Sequence, residues 1–531
     1  MKHFSHLDLG FSDAENYKRR ENKELFNRVF LRNEPLERLC NNNICFLVGE
    51  KGTGKTAYAV FLANNNYKSI SGSLKYIRET DYQKFLELKK QKHLTLSDFT
   101  SVWRTILLLL MAKKIQKDEP AGGLLQKRKH FGLIQNAIDE YYQNAFSPEI
   151  LVALQITDES KLFAELISKH LKVGGAEKEI ITFTSQRFQA NLFYIEQKLI
   201  SAISAVRTSL RHTLFIDGID IRPSSIPYNE YLDCIKGLAN AVWSLNSDTF
   251  ASLKDSGGLP RVVLLIRPDI LESIGLQNTN TKIRDNAVVL DWKTTYPKFR
   301  EADIFLAIDR LLSAQQDEAC NAGNCWDYYF PFDAPNHSVV DGRPTSSISF
   351  LRFSLFRPRD IIVMIDIIQK LKSRVKDNSI IKLSDFDNPE FRNQYSVYLL
   401  GEVKDQVSFY HTEDEYEAFL KFFEFLYGKW NFDYDLFLRA YTSLIRFLNA
   451  TKIPVPDFFE SPNRFLQYLF DLDVISYVER MEDNTAHVHW CYRERSYANI
   501  SPKVKSHKEY EIHYGLGKML NIGKEIKSSY H

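Results

Sequence analysis

Eight residues, Gly49–Thr56 (GEKGTGKT), constrain this chain more than any other feature. They lie between an apolar run (Ile44, Cys45, Phe46, Leu47, Val48) and a helix-forming stretch from Ala57 to Ala63. That order predicts a strand, a tight loop and a helix. Glycines at 49, 52 and 54 let the backbone curl so that successive N–H groups point inward, a concavity suited to an anion at a helix N-terminus. Gly49, Glu50, Lys51, Gly52, Thr53, Gly54, Lys55 and Thr56 are therefore expected to bind a nucleotide. Lys55 would reach the β- and γ-phosphates, and Thr56 would place its hydroxyl on Mg²⁺.

Composition narrows the rest. The 531 residues are 44% hydrophobic and 26% charged, enough apolar material for the cores of two to four domains. A formal charge of +2 means that any nucleic-acid contact must come from a local patch. Six scattered cysteines and no apolar leader after Met1 lead us to expect a cytoplasmic chain with free thiols. The longest apolar stretch, Ile106 to Ala112, is too short for a bilayer, so no membrane partner is expected. Cys320 and Cys325 lack a second pair at ligand spacing, and His337 alone does not complete a zinc site.

A second motif lies far downstream. Thr213 to Ile216 form a β-type run ending in Asp217, where a phosphate-loop enzyme holds Mg²⁺. Asp217 is followed by Gly218, Ile219 and Asp220, so Asp220 is the candidate general base, three residues on. Val262 to Ile266 read as a buried parallel strand ending at Arg267 and Pro268, which puts Arg267 at the ligand edge as a γ-phosphate sensor. Ala287 to Leu290 predict a further strand.

The order GxxxxGKT, FIDGID, LLIRP resembles the STAND branch of AAA-like P-loop ATPases, especially NACHT-type modules. Ile221 departs from that pattern, which often has a second acid there. FRPRD, Phe356 to Asp360, is similar to the lid-helix start of origin-recognition-like ATPases. The resemblance implies that Arg359, with Arg357 as second choice, contacts the nucleotide from the lid. Most of the chain also resembles a bacterial group of P-loop ATPases with a C-terminal winged helix, often associated with phage defence.

The spacing between Thr56 and Asp217 is far longer than two strands and their connections need. It predicts a helical insertion over about 82–210, with helical periodicity at 99–116 and 184–210 and glycines or proline at 120, 122, 123, 174 and 175 as breaks. Such helices either offer a partner surface or merely cover the sheet. Residues 318–347 read as a long loop. In the tail, helices at 416–427, 434–448 and from Ser461 to near Asp471 precede two strands, Val474 to Glu479 and Ala486 to Tyr492, joined by Glu482-Asp483-Asn484. Arg480, Arg493, Arg495, Lys503, Lys505 and Lys508 are candidate phosphate contacts near this wing, but the groove-entering helix offers only Arg464, followed by Asp471 and Asp473. A protein-contact winged helix is favoured over a DNA reader, and His487 and His489 are read as solvated.

The expected fold is α/β: a P-loop NTPase (AAA+/STAND-like) parallel sheet with a helical insertion, a helical lid and a C-terminal winged-helix domain. The expected domains are 1–295, 296–383 and 384–531. The expected function is an ATP- and Mg²⁺-dependent switch of conformation or oligomeric state, slow in hydrolysis, working as a homo-oligomer with a protein effector or sensor. The alternative is an origin-recognition-like ATPase or loader on duplex DNA, and a third reading is a nucleotide-binding scaffold that hardly hydrolyses.

Overall fold

The computed structural model describes residues 1–77, 96–118, 132–139, 185–222, 226–253, 258–275, 279–337, 342–374, 380–482, 486–496, 499 and 501–523. The expected breaks at 120, 122, 123, 174 and 175, and Asp483 and Asn484 of the expected wing turn, lie outside them. The chain divides into two compact units: one holds 34–51 and 55–290, the other 1–33, 52–54 and 291–531.

The first unit is built on five parallel strands: β1 (Phe46–Val48), β2 (Ile70–Tyr76), β3 (Arg211–Asp217), β4 (Arg261–Ile266) and β5 (Ala287–Val289). Their order is β2-β3-β4-β1-β5. Phe46 lies opposite Leu264 on one side and Ala287 on the other, and Leu214 pairs with Val262. Every residue of β4, and every residue of β3 after Arg211, is buried, as expected of central strands covered by helices on both faces. The chain runs from β1 to the far edge at β2, then returns from β4 past β1 to β5. Ligands of open α/β sheets bind outside the carboxyl ends of strands at such a crossing.

Helix Lys55–Asn64 follows β1 and lies close against β2, where a Cβ on Gly72 would stand 2.6 Å from the Leu62 carbonyl oxygen. Of the expected insertion, helices Leu96–Asp118 and Ser185–Ser204 are described, together with 132–139. Leu96–Asp118 packs on helix Tyr228–Ser244, where Trp103 Nε1 donates to the Cys234 carbonyl at 3.2 Å. Leu192, Ile195, Leu199 and Ile203 are all buried, as their common stripe predicts, and Arg104 pairs with Glu196 at 2.6 Å. Leu96–Asp118 lies against β3, and Ser185–Ser204 packs on Leu96–Asp118. Among the described residues, no helix is long and apolar enough to cross a membrane.

In the second unit, helix Pro358–Arg374 begins at the expected proline, with Ile361, Met364, Ile365 and Ile368 buried. Helix Pro389–Tyr410 packs beside it: Tyr398 donates to Asp360 at 2.8 Å and Tyr395 to the Phe353 carbonyl at 2.7 Å. The N-terminal segment belongs here too, with the Phe4 ring against Tyr329 and Phe330, and Gln369 donating to the carbonyls of Phe4 and Leu7. The stretch 318–347 is not one long loop. It contains helix Asn324–Tyr329, whose start is fixed by Asp309 accepting from the N–H groups of Gly323 (2.8 Å) and Trp326 (3.1 Å).

Helices Glu413–Glu424, Tyr434–Thr451 and Pro462–Asp471 accompany four antiparallel strands: β6 (Asn431–Asp433), β7 (Ile475–Arg480), β8 (Ala486–His489) and β9 (Glu509–Ile512). Their order is β6-β9-β7-β8. The expected hairpin is β7 and β8, but its second strand ends at His489 and not Tyr492. Asp473 accepts the Tyr492 N–H at 2.8 Å, and a short helix, Cys491–Glu494, replaces the strand's last residues.

Candidate functional site

The carboxyl ends of β1, β3 and β4 form one edge because β4 hydrogen-bonds to both of the others. Helix Lys55–Asn64 starts at the lysine itself. The Lys55 side chain is 6% exposed, and its ammonium donates to the carbonyls of Gly49 (2.8 Å) and Glu50 (3.3 Å) and pairs with Asp220 at 3.1 Å. Thr56 Oγ1 donates to Asp217 Oδ2 at 2.6 Å, and the Gly218 N–H donates to Asp217 Oδ1 at 2.8 Å. The four residues expected from spacing alone, Lys55, Thr56, Asp217 and Asp220, thus converge.

Burial, with the Asp220 carboxylate adding to it, raises the Asp217 pKa despite the Thr56 bond and the Lys55 charge. Such a group favours a proton or a cation. Asp220 Oδ1 is buried with no hydrogen-bond partner. The turn that delivers it needs a glycine: Gly218 has φ +91°, and a Cβ there would stand 2.6 Å from the Ile77 carbonyl oxygen. Tyr231 steadies the same turn by donating to the Ile219 carbonyl at 2.6 Å. Ile221, where the resembling pattern has a second acid, is 69% exposed.

Arg267 stands at the end of β4 as expected and is buried, but its guanidinium forms a bidentate pair with Asp269, with Nε 3.0 Å from Oδ1. In the second unit, the loop tip Gly52–Gly54 carries φ +87° at Gly52 and +93° at Gly54, and Trp292 Nε1 donates to the Thr53 carbonyl at 2.9 Å. A Cβ on Gly52 would lie 3.4 Å from Arg357 Cδ and 3.5 Å from Arg359 Cβ. Arg357 is buried and chelated by Asp360, with Nη2 2.8 Å from Oδ1 and Glu402 at 3.5 Å. Burial works against its charge, yet Asp360 and its neighbours outweigh it and raise its pKa. Arg359 is more open, donating to the Ser12 carbonyl at 3.2 Å with Glu402 at 3.8 Å.

Trp292 and Glu402 were not anticipated, because each acts through a tertiary contact with no local pattern; Asp269, only two residues after Arg267, was overlooked although the contact is local. Asp360 was legible in FRPRD as the residue three after Arg357, a spacing that lets the two side chains meet on one helix face.

The basic residues of the tail are largely engaged within the chain. Lys505 and Lys508 both pair with Glu479, at 3.0 and 3.1 Å, and Arg480 pairs with Glu509 at 2.7 Å. His489 lies 2.8 Å from Glu494 and 3.4 Å from Glu479. Arg493 lies over aromatic rings, 4.7 Å from the centre of Phe356.

The donor set fits Mg²⁺ with a nucleotide. Mg²⁺ takes few protein ligands and completes its octahedron with water and phosphate oxygens, so one hydroxyl and one carboxylate 2.6 Å apart suffice. Among the described residues, no group of three or more His, Cys, Asp or Glu could hold a metal ion by itself. No protein-family model matches the chain, and no curated protein or solved structure matches it.

Proposed function

We propose that the chain is a P-loop ATPase of the AAA+/STAND-like kind, a Mg²⁺-dependent switch that binds ATP and hydrolyses it slowly. The observation that carries this reading is the bond between Thr56, after the β1 loop, and Asp217, at the end of β3, with Lys55 and Asp220 beside it. Thr56 and Asp217 would hold Mg²⁺, which would supply charge neutralisation for the phosphates. Lys55 exchanges the carbonyls of Gly49 and Glu50, and Asp220, for phosphate oxygens. Asp220, released from Lys55, accepts a hydrogen bond from the attacking water and orients it. Arg359, less tied than Arg357 and close to Gly52, is the proposed lid arginine. Arg267 would have to leave Asp269 to serve as a sensor, which makes it the weaker candidate.

The three helices and the β6-β9-β7 strands support a winged-helix reading of the tail. Because Arg480, Lys505 and Lys508 are each paired with a glutamate, we infer that this domain contacts protein, an effector or a second copy of this chain, more readily than duplex DNA. A role in phage defence rests on the sequence resemblance alone.

The test is direct. ATP with Mg²⁺ at about 100 times its Kd should stabilise the full chain by about 2.7 kcal/mol, and Lys55→Ala should abolish both binding and stabilisation. Unchanged ATP affinity in the variant, measured by calorimetry, would remove the assignment.

A further inference from the structure

A cavity of about 700 Å³ opens in the second unit, lined by Lys293, Tyr296, Lys298, Ala302, Phe356 and Arg493 among others. Its volume lies in the range of small-molecule sites. Three cations line it (Lys293, Lys298, Arg493) against one carboxylate, that of Glu301. The Arg493 guanidinium is fixed over the rings of Phe356 (4.7 Å), Tyr296 (5.6 Å) and Tyr492 (5.7 Å), and its Nη2 donates to Tyr296 Oη at 3.2 Å. Its Nε is buried without a hydrogen-bond partner. Helix Asp303–Ser313, eleven residues long, begins at the same wall, and Ala302 at its N-cap provides no side-chain bond to the first N–H groups. Cations beside an uncapped helix start suit a phosphate, and the half-exposed Tyr296 ring in the cavity wall suits a planar base.

We propose that this cavity is a second ligand site, separate from the Lys55 loop, for a nucleobase carrying a 5′-phosphate, supplied either as a free mononucleotide or as the end of a single strand. The phosphate meets Lys298, Arg493 and the start of the helix, and the base lies against Tyr296. Residue Trp292, one position before the lining residue Lys293, holds the Thr53 carbonyl. Occupancy would therefore bear on the phosphate-loop tip, a consequence that rests on the ATPase reading, whereas the site itself does not.

The experiment uses the full chain carrying Lys55→Ala, so that the two readings fail separately. Calorimetric titrations with the four ribonucleoside 5′-monophosphates, their nucleosides, ribose 5-phosphate and a 5′-phosphorylated tetranucleotide should show saturable single-site binding of a monophosphate or of the tetranucleotide. The nucleoside and ribose 5-phosphate should bind at least about tenfold more weakly, since each lacks one set of contacts. A tighter tetranucleotide identifies the strand end as the source, and a tighter mononucleotide identifies the free ligand. Arg493→Gln should weaken binding by about tenfold or more, and the exposed Lys298→Glu, which spares the packed rings, should do the same. No saturation by any probe at millimolar concentration, equal binding of ribose 5-phosphate, or binding unaltered in folded Lys298→Glu would overturn the proposal.

Discussion

Asp217 sits in a conflict that the fold maintains: its carboxylate is buried beside another acid, with Thr56 and Gly218 as donors. A carboxyl whose folded-state pKa lies above its unfolded value binds its proton more tightly in the folded chain. Its contribution to stability is therefore lost as pH rises from the unfolded value through the folded one. Asp217→Asn removes that penalty, and the Thr56 hydroxyl can turn to accept from the amide. Without nucleotide, the variant should gain in melting temperature over the parent as pH is raised from about 4 to about 7.5, while losing Mg²⁺-dependent ATP binding. A melting difference that stays constant across this range would mean that Asp217 is not the strained group. Asp220 tests the chemistry. Asp220→Asn leaves Thr56 and Asp217 intact, so ATP affinity should stay within a few-fold while single-turnover hydrolysis falls by about 10²–10⁴. Equal turnover would move the water-orienting role elsewhere.

Among the elements, β1, β3 and β4 were legible because central parallel strands are buried on both faces and so read as apolar runs, and β5, though at the edge, kept a short apolar run. Their ends shifted by at most two residues, β1 starting at Phe46 and β3 at Arg211. The edge strand β2, ISGSLKY, gave no such signal. Its Ser71, Gly72, Ser73 and Lys75 interrupt any run, and its place depends on pairing with β3 and on the close approach of Gly72 to Leu62, both long-range facts. Strands β6 and β9 escaped notice for the same reason: NFD and EYEI are short and charged, and they are strands only because β6 pairs with β9 and β9 with β7. In the site, Lys55, Thr56, Asp217 and Asp220 were readable from spacing because a strand end fixes where the next residues fall. The partner of Arg359 was not, since contacts across elements leave no periodic trace, whereas that of Arg267, Asp269, lies only two residues on and could have been read. Gly72 offers the element-scale test. Its Cβ would clash with backbone, which cannot rotate away, so Gly72→Ala should destabilise the first unit by about 1–3 kcal/mol. Chemical denaturation should show a lower midpoint with an unchanged slope. An unchanged midpoint would mean that β2 is not held against helix Lys55–Asn64.

At the scale of the whole molecule, the two units suggest where the chain can and cannot be cut. The sheet, its covering helices and the Lys55–Asp217 cluster all lie within 34–290, except for the loop tip 52–54. A 34–290 fragment should therefore unfold in one cooperative transition, because it keeps every strand of the parallel sheet and the buried helix Leu96–Asp118. It should bind ATP more weakly than the full chain, since Thr53 loses the Trp292 bond that holds the loop tip in place. A cut at Leu383 is different in kind. It removes Tyr395, Tyr398 and Glu402, which bond Phe353, Asp360 and Arg357, and it takes both Phe386 and Phe391 from the aromatic cluster with Phe353. Arg357 and Asp360 would keep each other but lose Tyr398, Glu402 and the helix that covers them, and apolar side chains of helix Pro358–Arg374 and the Phe353 ring would be exposed to water. A 1–383 fragment should accordingly show only the transition of the sheet unit in scanning calorimetry, with 291–383 open to proteolysis before any heating. If 291–383 instead resisted protease and melted cooperatively, the helix at Pro358 would be a lid domain that stands without the tail, and a restraining role for the tail on that helix would no longer follow from packing.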